Sequence, residues 1–243
     1  MDIYGIHDIS ALLAGNPYVG RGILIGKTPN GAHAVTAYFI MGRSENSRNR
    51  VFAAREGALL TEPFDPSRVK DPSLIIYTAL RTFENKLIVT NGDQTDTIYR
   101  GLQQGRSFSE ALSTRTFEPD APNFTPRISG MLTFSEGDFF YEMSILKSLD
   151  PEGSDCARYT FRYPARPGLA HFIHTYVTDG TPLPAFWGEP ERVRTMDDMD
   201  AFSETFWNAL DENNRISLYL RYTDLATGAV REIIRNKNHR EGI

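Results

Sequence analysis

Cysteine is almost missing from the chain: Cys156 is its only one. A single cysteine forms no intrachain disulfide, so a reducing, intracellular setting is expected. No apolar run reaches the roughly 18 residues that a membrane-spanning helix needs, so no membrane partner is expected. The opening residues Met1-Asp2-Ile3-Tyr4 carry neither a basic nor an apolar segment. No secretory signal is read there, and a cytoplasmic location is expected. Basic charge is also in short supply. Lys plus Arg number 26 against 31 Asp plus Glu, a net charge of −5. With a pI near 5.6, generic nucleic-acid binding is excluded, because it needs a basic surface.

What is present is ordinary for a globular chain. Over 243 residues the hydrophobic fraction is 40% and the aromatic fraction 12%. That is enough apolar surface to offset the entropy of ordering the backbone. No internal repeat, long linker or low-complexity tract divides the chain, so residues 1–243 are expected to form one domain. One bias stands out: 21 of the 26 basic residues are arginine. Arginine offers a planar, permanently charged fork for phosphate or carboxylate. Genome composition explains such a bias equally well, so only the clustering of the arginines is informative.

The patterning predicts many antiparallel hairpins and a few helices. A short helix over 8–13 is followed by strands at 20–26 and 34–41, paired across the Lys27–Gly31 turn. An arginine-rich loop leads to a strand near 51–55. Strands at 74–83 and 87–90 flank Glu84-Asn85-Lys86. Residues 95–104 read as a helix, and Ser107 with Glu110 makes a capping box for another at 108–112. Residues 117–126 contain Pro119, Pro122 and Pro126 and are a loop. Strands at 128–135 and 139–146 flank one turn. Strands at 158–163 and 170–178 flank another, at 164–168. A helix at 196–210 carries Met199, Phe202, Phe206 and Leu210 on one face. Strands at 216–222 and 229–235 close the chain. The class is α+β, with helices packed outside the sheets.

Three polar segments could carry chemistry. Residues 42–50 hold Arg43, Arg48 and Arg50 interleaved with Asn and Ser, a pattern able to wrap an anion. Residues 90–97 include Asn91 and Asp93 at a strand end just before a helix; capping is the plainer reading, and ligand contact at the helix start the functional one. The stiff segment 117–127 would hold Glu118 and Arg127 rigidly, or merely cover the core. Other candidates fail. His171 and His174 lie three apart in a strand, hence on opposite faces, so no metal is expected there. Cys156 has no basic neighbour in sequence to activate it. Gly20-Arg21-Gly22 precedes no helix, and Gly26-Lys27-Thr28 would need glycine at position 21 to complete a phosphate-binding loop.

Taken together and in order, these pieces resemble the archaeal-type IMP cyclohydrolase family. The matching residues are Tyr18-Val19-Gly20-Arg21 with Ile23-Leu24, then Arg43-Ser44 and Asn49-Arg50, then Pro72 with Tyr77. Asn91-Gly92 with Thr95-Asp96-Thr97-Ile98 follows, and finally Glu118 and Thr125-Pro126-Arg127-Ile128. The resemblance spans roughly residues 18–130, and Phe124 stands where the family pattern leads to the expectation of Asn. It implies a four-layer αββα sandwich like that of N-terminal-nucleophile hydrolases, without self-processing. It implies ring closure of 5-formamidoimidazole-4-carboxamide ribonucleotide to IMP with loss of water, with no metal or cofactor. A purine ribonucleotide is then the small-molecule partner, and homo-oligomerisation is expected.

On this reading Arg43, Arg48 and Arg50 hold the phosphate and Arg21 lines the same site. Tyr77 donates to the formyl oxygen, and Glu118 orients or deprotonates the amide. Asn91, Asp93 and Arg127 contact the heterocycle or ribose. Two alternatives remain open: an amide hydrolase of the same architecture, which the Met1-Asp2 start disfavours, and a nucleotide-binding protein without turnover.

Overall fold

Residues 34–41 are almost continuously apolar, and all eight are buried. Such a run fits a central strand covered on both faces, and the computed structural model, which describes residues 4–69 and 76–238, puts it there. Pro72, the first residues of the strand expected from 74, and Met1 and Asp2 lie outside the described residues.

The first sheet contains β1 (Arg21–Lys27), β2 (His33–Met41), β10 (Leu169–His174), β11 (Glu191–Arg194), β12 (Arg215–Asp224) and β13 (Val230–Asn236). Its order is β11-β10-β1-β2-β12-β13, antiparallel throughout. The second sheet contains β3 (Arg50–Arg55), β4 (Ala58–Pro63), β5 (Tyr77–Phe83), β6 (Lys86–Thr90), β7 (Arg127–Ser135), β8 (Asp138–Ser148) and β9 (Cys156–Pro164), each paired antiparallel with the next. Helices α1 (Ile9–Leu13), α2 (Glu45–Arg48), α3 (Gln94–Gln103), α4 (Phe108–Leu112) and α5 (Met199–Ala209) complete the elements used below.

Side-chain alternation separates three apolar clusters. Ile23, Ile25, Tyr38 and Ile40 of the first sheet meet Leu80, Val89, Ile128 and Leu132 of the second. Leu24, Phe39 and Phe172 point the other way, onto Ile9 and Leu13 of α1 and Phe202 and Phe206 of α5. On the far side of the second sheet, Ile88 and Met131 pack against Ile98 of α3 and Phe108 and Leu112 of α4. The fold is therefore α+β, as the hairpin pattern indicated.

The helix signals match closely. The Ser107–Glu110 capping box is formed and starts α4. Asp198 caps α5 by accepting from the Asp200 and Ala201 amides, so that helix begins three residues later than the apolar spacing suggested. Three expectations need correction. The turn at 164–168 does not close a hairpin, because β9 and β10 belong to different sheets. All six residues of β10 are buried, which demands an interior position, whereas β9 is half exposed and forms an edge. The arginine-rich loop contains the short helix α2, held by a Ser44–Ser47 capping box. Strands β4 and β11 lack a clean alternation of apolar residues, and the pattern missed both.

Candidate functional site

Antiparallel order brings distant residues to one end of the two sheets. Arg21 opens β1 opposite Ile40, near the close of β2. In the second sheet β3 opens at Arg50, β5 at Tyr77 and β7 at Arg127, while β6 closes at Thr90. The strand termini thus gather the candidates from five separate stretches of sequence.

The sheets touch there through Tyr38 and Tyr77, whose hydroxyl oxygens are 2.6 Å apart. Burial holds the Tyr38 phenol well above its usual pKa, and Tyr77 adds to this, while Arg21 and Arg50 oppose it. Arg50 is 1% exposed. Its Nε donates to Ser47 O at 2.7 Å and its Nη2 to Met41 O at 3.0 Å. Its Nη1 is buried without a partner, as is Nε of Arg21. Burial lowers the Arg50 guanidinium from its usual range. Burial also pulls on Arg21, but Glu118 with Tyr77, Tyr176 and Tyr38 outweighs it and raises the pKa well above normal.

Glu118 is 2% exposed, and its Oε2 lies 3.5 Å from Arg21 Nη2. Burial raises its pKa despite the positive charges of Arg21 and Arg127; one long contact does not replace the lost hydration. A carboxyl held out of water in this way can take up and return a proton.

On the helix side of β7, Arg127 Nη1 donates to Asp93 Oδ1 and to Gln94 Oε1, both at 2.8 Å. Asp93 also pairs with Arg115. Burial works against the Asp93 charge, but the two arginines prevail and hold its pKa low. Asp93 therefore does not cap α3 with its side chain. A Cβ at Gly92 would stand 2.7 Å from both Arg127 Nη1 and Gln94 Oε1, so a side chain here would displace one of the two. Asn91 is a brace: its Nδ2 donates to Pro126 O at 2.9 Å, and its Oδ1 accepts from Ile128 N and Gln94 Nε2, each at 2.9 Å. These bonds lock the loop after β6 onto the start of β7.

At the rim, Arg43 lies 5.1 Å above the Tyr18 ring and pairs with Asp179. Tyr18 stacks on Tyr176 with centroids 5.9 Å apart. The Tyr176 hydroxyl meets Thr125 Oγ1, which is bonded to Asp120. Gly20, at φ +77°, lets the chain enter β1 tight against Thr175. Phe124 also takes positive φ, +42°, a conformation that Asn accepts more readily. Phe117 holds its ring edge-on at 5.4 Å. Arg48 does not join the others. Its Nε donates to Gly42 O at 3.0 Å and its Nη2 to Asn214 Oδ1 at 2.9 Å. It lines a different surface pocket, with Arg68 and Lys237.

The candidates that converge are thus Arg21, Arg50, Tyr77 and Glu118, with Arg127, Asn91 and Asp93 alongside and Arg43 at the rim. Sequence reasoning missed Tyr38, Tyr176, Gln94 and Asp120. Tyr38 and Tyr176 read as strand aromatics, and nothing local separates them from core residues. Gln94 was detectable only as a polar residue at a helix start. His171 and His174 do fall on opposite faces: His171 Nδ1 meets the Tyr141 hydroxyl at 2.6 Å, while His174 packs 5.0 Å from the Phe172 ring. Among the described residues no group of three His, Cys, Asp or Glu side chains could hold a metal ion, and no helix is long and apolar enough to cross a membrane.

Comparison with known proteins gives the family. The chain is 38% identical over 128 residues to an IMP cyclohydrolase of Methanopyrus kandleri, covering 51% of this chain and 61% of the relative. It is 32% identical over 126 residues to one of Methanosphaera stadtmanae, covering 49% and 60%. It is 26% identical over 163 residues to one of Methanococcus aeolicus, covering 65% and 74%. The match thus spans about three fifths of the length of the first two relatives. A family model described as IMP cyclohydrolase-like protein matches residues 18–228. A match over that much of the sequence, taking in every converging residue, makes the chain a member of the IMP cyclohydrolase-like family.

Proposed function

We propose that the protein is an IMP cyclohydrolase, closing 5-formamidoimidazole-4-carboxamide ribonucleotide to IMP with loss of water. The observation that carries this reading is the buried Arg21–Glu118 pair lying with Arg50 beside the Tyr38–Tyr77 contact. It brings a carboxyl, a phenol and two guanidinium groups together out of water. Those are the groups that a weak amide nucleophile and a developing oxyanion require.

In the first step the carboxamide nitrogen bonds to the formyl carbon. Its proton passes to Glu118, and the formyl oxygen takes a proton from Tyr77. In the second step the new hydroxyl leaves as water with the Glu118 proton. The former formamide nitrogen gives its own proton back to Tyr77, and the ring gains its C=N bond. The partnerless N–H groups of Arg21 and Arg50 favour negative charge on the reacting oxygen. This assignment moves Arg50 from the phosphate, where the sequence put it, to the reacting end. Arg43 over Tyr18 then takes the 5′-phosphate, whose binding supplies alignment from a distance. Arg127, with Asp93, borders the ribose and base.

The same reading takes residues 1–243 as one domain with the αββα layering of N-terminal-nucleophile hydrolases, without self-processing, and a purine ribonucleotide as partner. The test is an ultraviolet assay of the purified protein with this ribonucleotide, run beside Tyr77→Phe. IMP formation with a kcat lowered in the variant far more than KM is raised is the expected result. Nucleotide binding without turnover in the wild type would instead identify a binding protein.

A further inference from the structure

Tyr38 lies on β2, among residues whose other side chains are simply core. It is 0% exposed, and its ring stacks 5.3 Å from Phe52. Its hydroxyl nevertheless reaches across to the opposite sheet and meets Tyr77 at 2.6 Å. A phenol has one proton to donate. Within such a pair one hydroxyl donates to the other, and the direction decides what the second offers to a substrate. When Tyr38 donates, the Tyr77 proton is released from the pair and free to point away from it.

Burial favours that direction: Tyr38 is 0% exposed and Tyr77 6%, so Tyr77 is the phenol nearer to a ligand, and the surrounding charge suits a phenolate in this pair. Arg21 and Arg50 both act on Tyr38 and on Tyr77, and each keeps one buried N–H without a partner. Two positive charges in a site shielded from water favour negative charge on a nearby oxygen. A Tyr77 oxygen that has just given up its proton is such an oxygen, and the Tyr38 hydroxyl is already within donating distance of it.

We propose that Tyr38 is a positioning residue for Tyr77: it donates to the Tyr77 oxygen, keeps the Tyr77 proton turned toward the substrate, and stabilises the phenolate left when that proton moves. This rests on the cyclohydrolase reading. Tyr38 itself gains and loses no proton over the cycle. Its hydrogen bond strengthens when Tyr77 is charged and relaxes when the former formamide nitrogen returns the proton.

The experiment compares wild type, Tyr38→Phe, Tyr77→Phe and the double variant by steady-state kinetics and thermal melting. Tyr219→Phe serves as control, since it removes a buried hydroxyl bonded to Glu232 from the same inter-sheet cluster. The Phe52 stack survives in Tyr38→Phe. We expect this variant to lose roughly tenfold to a hundredfold in kcat, with KM held within about threefold. The double variant should be no slower than Tyr77→Phe alone, because the two hydroxyls act as a unit. An unchanged kcat in Tyr38→Phe, a loss confined to KM, or multiplying effects in the double variant would overturn the proposal and leave the cyclohydrolase reading standing. A wild type without turnover would overturn both. Should Tyr38→Phe fail to melt cooperatively, Tyr38→3-fluorotyrosine decides the matter. It makes the phenol more acidic with little change of shape, so the alkaline fall of kcat should move to lower pH, and an unmoved profile counts against the proposal.

Discussion

Arg21 and Glu118 are 97 residues apart in sequence and meet at 3.5 Å in a buried site. The contact joins the first strand of one sheet to the loop that precedes β7 of the other. It keeps a carboxyl and a guanidinium where neither is well hydrated, and their responses differ. Burial raises the Glu118 carboxyl, while Glu118 and the surrounding tyrosines raise Arg21 despite its burial.

Glu118→Gln is expected to lower kcat by about a hundredfold or more, since it removes the acid–base group and retains its shape. Stability should follow pH in a defined sense. The folded-state pKa of Glu118 lies above its unfolded value, so the native protein binds the proton more tightly and loses stability as pH rises through that window. The melting temperature of the Gln variant, relative to wild type, should therefore climb from about pH 4.3 upward, the ordinary glutamate range. Melting curves of both proteins from pH 4 to 8 check it, and a flat difference would place Glu118 outside the titration.

Arg43→Ala tests the rim. Its guanidinium sits over Tyr18 and pairs with Asp179, partly open to solvent. As the proposed phosphate contact, it should raise KM roughly tenfold or more through loss of a charge-assisted contact. Raised ionic strength should narrow the gap between the two proteins. Equal KM values would assign the phosphate elsewhere.

Gly92→Ala puts a methyl group 2.7 Å from Arg127 Nη1 and from Gln94 Oε1. One of these side chains must shift, and Arg127 is held by both Gln94 and Asp93. Thermal stabilisation by IMP should fall in this variant, with affinity reduced about tenfold. Unaltered nucleotide binding would show that the Arg127 position does not matter to the ligand.

His171 offers a prediction away from the site. Burial, helped by Arg192, lowers its pKa to about 4. The Tyr163 ring stacks on it at 3.5 Å. A histidine with a depressed folded pKa stays neutral in the fold and charges when unfolded. Stability should thus fall as pH drops from the ordinary histidine value near 6.5 toward 4. His171→Phe should melt with a shallower pH dependence over that interval, and an identical slope would mean that other groups cause the acid sensitivity.

Much of the fold was legible locally. Periods of two and near 3.6, together with turn and capping signals, identified most strands and the helices α1, α3, α4 and α5, because burial of one face imposes the period whatever the partner is. In β4 the two buried positions are Leu59 and the polar Thr61, and in β11 only Val193 is buried, so neither strand carried an apolar period to be read. The candidate site divides in the same way. Arg21, Tyr77, Glu118 and Arg127 stood out through the ordered family pattern, whereas Tyr38 carried no mark that separates it from core tyrosines such as Tyr219.

The sequence by itself determined which segments could be strands, which helices needed capping, and which residue types could hold an anion or move a proton. Those are properties of a residue and its near neighbours. Tertiary structure decided which of these residues meet. Arg48 and Arg50 are two positions apart, yet Arg48 ends α2 and turns to Asn214, while Arg50 opens β3 and enters the core. Likewise β9 and β10 are consecutive strands that belong to different sheets. The reason is physical: pairing between strands and packing between sheets are chosen by burial summed over the whole chain, and no local stretch contains that sum.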